Sequence, residues 1–317
     1  MKPLTAFIIF LFVTLLISCK SDKNNPVAST TQQLPDGIAG YVSVKYQYLL
    51  TTLFHTQTSM LTGYNNKLYR FGSQSPVQVW DLTNRSWSEI QLQDTTFARW
   101  DGVTVTIGDS IFVVAIYGNN VYDIITFDAS KSIFHHTGVN LPTNFSHPAY
   151  CTYNDKIVFL TAQSDSVFEY NTTNRILRNV AANPFKGSVD YYDQMASGKY
   201  INLFYVFGGY SYLPNNKFCR LNLDTYTWEV LDMPSTLKQL NQFGASFGNQ
   251  FVLFSDSVTT HQYSFVNNKW YVDTAKVPIF PRFLTGQLSP GEWSFFAEDT
   301  CLYATDIYAN KLWKITE

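Results

Sequence analysis

One segment is written six times along this chain, and that repetition restricts the fold more than any other property. Residues 79–87, 125–134, 168–176, 220–228, 262–270 and 305–313 each read as an alternating strand, a polar turn rich in Asn, Asp or Thr, and a large residue that opens the next strand. Those large residues, Trp87, Phe134, Ile176, Trp228, Trp270 and Trp313, lie 47, 42, 52, 42 and 43 positions apart. A second apolar strand precedes each copy, at 68–72, 112–115, 157–160, 204–209, 251–254 and 293–296. Small residues at 102–105, 149–152, 244–246 and 285–287 suit an innermost strand near a crowded axis. A period of this length is that of one four-stranded propeller blade. The expectation is therefore an all-β chain, a six-bladed propeller of four-stranded blades at roughly 55–95, 96–143, 144–186, 187–237, 238–278 and 279–317, within a single domain 38–317. Residues 40–50 read as a further strand that either leads into the first blade or pairs with the last to close the ring.

Tyr205-Val206-Phe207-Gly208-Gly209 followed by Trp228, and Phe71-Gly72 followed by Trp87, resemble the kelch repeat, in which an apolar strand ends in Gly-Gly and a later turn leads to Trp. The resemblance spans about residues 55 to 317, and the second, third, fifth and sixth copies lack the double glycine. It implies a kelch-like propeller with a binding surface at the mouth of the central channel, lined by loops that enter the innermost strands and loops that join the second strand to the third. The 17% aromatic content is then expected in the wedges between blades. Gly208-Gly209 is expected to let the backbone turn where a Cβ would clash.

The 22 Lys and Arg against 24 Asp and Glu leave no basic excess, which excludes nucleic acid as an expected partner. After Lys2, an apolar run over residues 4–17 is shorter than the ~20 residues of a spanning helix and reads as the core of a signal peptide, 1–18. It ends in Leu16-Ile17-Ser18-Cys19, which resembles the bacterial lipobox. That resemblance implies acylation of Cys19 as the first mature residue, and Lys20 rather than Asp beside it implies delivery to the outer membrane. Residues 19–37 are polar and read as a flexible lipidated tether, holding the body about 20–25 Å from the membrane.

The incoming loops of the innermost strands carry His55, Arg99 with Trp100, His147, Asp190 with Tyr191, Gln242 and Arg282. Arg offers a fork for carboxylates, and the aromatic rings offer a stacking face. Around one mouth these groups would bind a glycan, peptide or protein, in a monomer without cofactor or metal. Two other readings stand beside this one. A sugar mutarotase of the sialic acid type, known among kelch propellers, would need Arg99 or Arg282 facing Asp190 or His147. A structural subunit of an envelope complex would use the sides of the propeller instead. The five histidines show no zinc-type spacing, and His135 and His136, adjacent in a strand, point to opposite faces. Cys151, Cys219 and Cys301 fall in different blades and are expected as buried free thiols.

Overall fold

A computed structural model of the chain describes residues 38–42, 45–50, 60–72, 76–92, 101–117, 121–141, 148–161, 164–186, 195–208, 217–239, 243–254, 260–273, 293–298, 300–306 and 311–316. Apart from one 3-10 turn at Ser235–Gln239, the regular structure among them is entirely β. Two strands come first, β1 (Ile38–Val42) and β2 (Lys45–Leu50). The first sheet is β3 (Met60–Tyr64), β4 (Lys67–Phe71), β5 (Val77–Asp81) and β6 (Ser86–Ile90), and the second is β7 (Asp101–Ile107), β8 (Ser110–Tyr117), β9 (Val121–Asp128) and β10 (Ile133–Asn140). The third is β11 (Ala149–Tyr153), β12 (Lys156–Leu160), β13 (Ser166–Asn171) and β14 (Ile176–Ala182). Next in the chain come β15 (Ala196–Tyr200), β16 (Leu203–Gly208), β17 (Lys217–Asn222), β18 (Thr227–Leu231), β19 (Phe243–Phe247), β20 (Gln250–Phe254), β21 (Thr260–Ser264) and β22 (Lys269–Asp273). The last three strands are β23 (Trp293–Ala297), β24 (Cys301–Asp306) and β25 (Lys311–Thr316).

The fold is an all-β, propeller-like arrangement of four-stranded antiparallel units, but its strands do not fall into six separate sheets. β15–β18 and β19–β22 belong to one nine-stranded sheet, joined at their innermost strands by the parallel pair Ser197 and Ala245, with β1 added parallel to β22. Close approach at residue 198 explains the merger. Lys199 N donates to Ser246 Oγ (2.8 Å), which donates back to Lys199 O (3.2 Å), so β19 grips β15 as a ladder neighbour.

The sixth copy is displaced by one strand from the sequence reading. Residues 293–296, expected as a second strand, form the innermost strand β23, and Trp313, expected to open an outermost strand, lies on the third strand, β25. The expected innermost stretch 285–287 lies outside the described residues. The outermost place in this sheet is taken by β2, antiparallel to β25 with Lys45 opposite Thr316, so the two ends of the domain close on each other. Residues 40–50, read as one strand, are thus divided: 45–50 take the closing role, and 40–42 belong to β1 beside β22.

The polar turn of the repeat has a mechanism. Asp81 Oδ1 accepts from the backbone N–H groups of Thr83 and Asn84, both at 2.9 Å. Asp128, Asn171 and Asn222 do the same two and three residues ahead. The chain then passes through a left-handed residue, Arg85, Ser132, Arg175 or Tyr226 with φ of 51 to 59°, before the outermost strand begins. Of the residues expected in the wedges, Trp228 Nε1 donates to Ala182 O (2.8 Å) and Trp270 Nε1 to Asp232 O (3.1 Å), each reaching across to the preceding group of strands. Ile176 does not follow: it is 54% exposed, and its neighbour Leu177 packs instead. Gly208 is the last residue of β16 and makes no left-handed turn; a Cβ there would come 2.6 Å from Met195 Cγ, so the site demands thinness. Gly209 lies outside the described residues.

Apolar packing joins successive groups of strands in a cycle. Phe71 and Phe127 sit between the first and second sheets, Phe112 and Phe159 between the second and third, and Val158 and Val206 between the third and β15–β18. Phe218 and Trp270 fill the gap between β15–β18 and β19–β22, with ring centroids 5.0 Å apart. Phe254 and Trp313 lie between β19–β22 and the last sheet, and Trp80 and Tyr303 between the last sheet and the first. The innermost strands β3, β7, β11, β15, β19 and β23 are neighbours in that order, and β23 returns to β3. Hydroxyl groups tie several of these strands together. Tyr150 N donates to Ser197 Oγ (3.0 Å), and Thr106 Oγ1 donates to Gly63 O (2.7 Å).

A Cβ at Gly198 would lie 2.3 Å from Ser246 Oγ and 2.6 Å from its backbone nitrogen, which a rotamer change cannot relieve. Gly198→Ala should therefore force β15 and β19 apart and lower stability by roughly 1–3 kcal/mol, read as a shift of the urea midpoint.

Candidate functional site

The antiparallel order gives the propeller-like body two ends. At one end are the loops that lead into the innermost strands and those that join second strands to third; at the other are the tight turns joining first to second and third to fourth. The predicted site residues His55, Arg99, Trp100, His147, Asp190, Tyr191, Gln242 and Arg282 all lie outside the described residues, as does Cys19. What the structure does place are the strands these loops enter. Arg99 and Trp100 directly precede β7, and Gln242 directly precedes β19. His147 is two positions before β11, Asp190 and Tyr191 lead into β15, His55 leads into β3, and Arg282 into β23. All six strands belong to the cycle around the axis and start at the same end.

Three polar constellations that sequence reasoning missed lie among the described residues. In the second sheet, a β-bulge between His136 and Val139, with Gly138 at φ 78°, turns His136 onto Asp123. His136 Nδ1 lies 2.7 Å from Asp123 Oδ2; the carboxylate side chain is 6% exposed and the imidazole 54%. The buried carboxylate fixes the orientation of the imidazole through Nδ1. It sits on an outermost strand, away from the axis.

In the third sheet, the buried Glu169 takes Arg178 at 2.8 Å and Lys156 at 3.3 Å, and accepts a hydrogen bond from the Tyr226 hydroxyl of the next group of strands. Every oxygen is satisfied, so this cluster is a clamp between groups of strands rather than a place for a ligand. Between the first and last sheets, the buried Arg70 donates to Gln78 Oε1 at 2.7 Å. Beside them is a cavity of about 10 Å³, walled by Leu61, Trp87, Thr305 and Leu312 among others and large enough for one water at most. Among the described residues no three His, Cys, Asp or Glu groups gather closely enough to hold a metal ion.

No disulfide links the three cysteines. Cys151, Cys219 and Cys301 are buried, and burial raises each thiol pKa, that of Cys219 to about 11. At the turn end, Asp224 accepts from the Tyr153 hydroxyl (2.6 Å) and from Asn202, and these bonds hold its carboxyl below the usual range. Asp81 and Asp128 are lowered as well, chiefly by hydrogen bonds accepted within their own turns, and Asp155 chiefly by the one it accepts from Thr173 of the neighbouring turn.

No family model matches this chain, and no curated protein matches its sequence. Solved structures do match its fold. The structure of YjhT superposes with a TM-score of 0.62 at 9% identity, covering 84% of this chain and 95% of that one. An auxiliary nutrient binding protein from Bacteroides ovatus superposes with a TM-score of 0.59 at 12% identity, covering 86% of this chain and 76% of its own. A second protein of that description, from Bacteroides thetaiotaomicron, gives 0.55 at 11% identity, covering 86% and 76%. At such identities the likeness is one of fold, and the fold is propeller-like.

The depressed carboxyls contribute stability that is present above the unfolded Asp value, about pH 4, and is lost as pH falls through their lower folded values. Asp224→Asn should make that acid limb shallower, measured as urea midpoints between about pH 2 and pH 6. In the native protein Cys219 should resist a thiol reagent at neutral pH and react once the protein is unfolded in urea.

Proposed function

We propose that this protein is an outer-membrane lipoprotein, anchored through Cys19, whose six-bladed kelch-like propeller binds a glycan, peptide or protein at the end that carries the incoming loops. In this reading the nine-stranded sheet is two blades that touch at Ser197 and Ala245, β2 completes the last blade, and the protein works as a monomer without cofactor. The observation that carries the proposal is the cycle of six innermost strands, because each of the eight predicted mouth residues precedes one of those strands in the sequence. A rigid scaffold whose loops converge is the usual support for recognition. Arg99 and Arg282 would meet carboxylates, while Trp100 and Tyr191 would stack on sugar faces. Fold likeness to two proteins described as auxiliary nutrient binding proteins supports a binding role for the propeller.

A glycan and peptide array probed with the protein should yield a ligand whose affinity falls by at least about 100-fold in the Arg99→Ala, Arg282→Ala double variant, since charged contacts at interfaces are worth about 2–5 kcal/mol. Unchanged binding, or unfolding of the variant, would remove these arginines from the site. NMR exchange measurements between the anomers of a bound sugar would separate a binder from a mutarotase. On fractionation, Cys19→Ala should move the protein from the membrane to the soluble fraction, and its retention in the membrane fraction would end the lipoprotein reading.

A further inference from the structure

At the end opposite the incoming loops, the turns that join first strands to second follow a rule with one exception. Five first-to-second connections are two-residue turns that pass through a left-handed conformation, at Asn65 and Asn66, Gly108, Asn154, Ile201 and Gly248, with φ between 49 and 57°. Asn and Gly tolerate that conformation, whereas a β-branched side chain does so only at a cost in strain. Ile201 is also 70% exposed, so burial does not offset the strain.

A second exposed aliphatic residue is linked to it through the rings that precede each of them in the chain. Tyr200 stacks on Phe265 with ring centroids 4.8 Å apart, and next to Phe265 stands Val266, 69% exposed, at the tip of the turn between β21 and β22. Lys269 follows, exposed, at the start of β22. The chain enters the described body at the same corner, because Ile38, the first residue of β1, pairs with Trp270. Eighteen residues, 20–37, stand in the sequence between Cys19 and that point, and a random chain of that length spans about 20–25 Å.

We infer that the corner formed by Ile201 and Val266 rests on the lipid surface that holds Cys19, so that the incoming-loop mouth faces away from the membrane. The inference rests on the lipoprotein reading proposed above. A tether this short keeps the corner at a high effective concentration at the bilayer, so a pair of aliphatic side chains with a lysine beside them suffices for a contact that would be negligible in free solution. Strain at Ile201 is then the cost of presenting an apolar group where Asn or Gly would fold more easily.

The test uses full-length lipidated protein in vesicles of phosphatidylethanolamine and phosphatidylglycerol that contain a doxyl-labelled lipid. Val266→Cys, and as a control Asp165→Cys, an exposed residue between β12 and β13 at the opposite end, each receive an environment-sensitive fluorophore, the native Cys151, Cys219 and Cys301 being buried. Flotation reports anchoring independently of the label. The expected result is flotation of both proteins, with quenching several-fold stronger at position 266 than at 165. Adding Ile201→Asn should weaken the quenching at 266 while leaving the melting temperature unchanged or higher.

Flotation with equal quenching at both positions overturns the inference and leaves the anchor standing. Failure to float overturns both. Shielding of the 266 label without lipid quenching, accompanied by a doubled mass in light scattering, means a second copy covers the corner and also overturns it. A clear fall in melting temperature with Ile201→Asn would assign Ile201 to packing and do the same.

Discussion

Burial of both faces of every described sheet is the constraint on which the remainder of this structure depends. In β12, Ile157 and Phe159 pack toward the second sheet while Val158 and Leu160 pack toward β15–β18. In β20, Phe251 and Leu253 turn one way and Val252 and Phe254 the other. A sheet that must cover two apolar faces needs a neighbour on each side, and a row of such sheets has unsatisfied ends unless it closes on itself. Each large side chain buried this way contributes about 1.5–3 kcal/mol, so an open row would forfeit two whole faces. The cycle of packing, ending with Trp80 against Tyr303, is the solution.

Closure then falls on the chain ends, and β2 against β25 is how it is met: the N-terminal strand completes the sheet formed by the C-terminal three. At the same seam the buried pair of Arg70 and Gln78 replaces apolar residues that stand at the matching places elsewhere, such as Val113 and Ile125 in the second sheet. Buried polar groups lower the gain from packing but accept few alternative partners, which suits a seam where the first and last sheets must meet in one register. Small residues near the axis serve the same end. Where Ser246 meets Gly198, the approach is close enough that two groups of strands share one ladder.

Much of this was legible in the repeat. Alternation placed the strands, and the Asp or Asn before each turn is the residue that organises it in the structure, as Asp81 and Asn171 do. The misreadings have local causes. Ile176 and Leu177 are adjacent and both aliphatic, so spacing alone did not tell which one enters the wedge, and a slip of one residue reverses the face. In the last sheet the repeat implies four consecutive strands, whereas the outermost is supplied from more than 260 residues away from the strand it pairs with, and no periodicity reports a non-local pairing. The pairing of His136 with Asp123 depends on a bulge that shifts register, which also leaves no trace in a hydrophobic pattern.

By itself the sequence determined the secondary structure, the number of repeated segments and the residue types of the turns, because these follow from short-range alternation and from the chemistry of Asp, Asn and Gly. It also determined which polar groups precede each innermost strand. The tertiary structure alone decided how the ring closes, which innermost strands come close enough to merge, and that Ile201 and Val266 stand exposed on tight turns. Those outcomes rest on contacts between residues far apart in the chain, whose geometry is set by packing around the whole cycle.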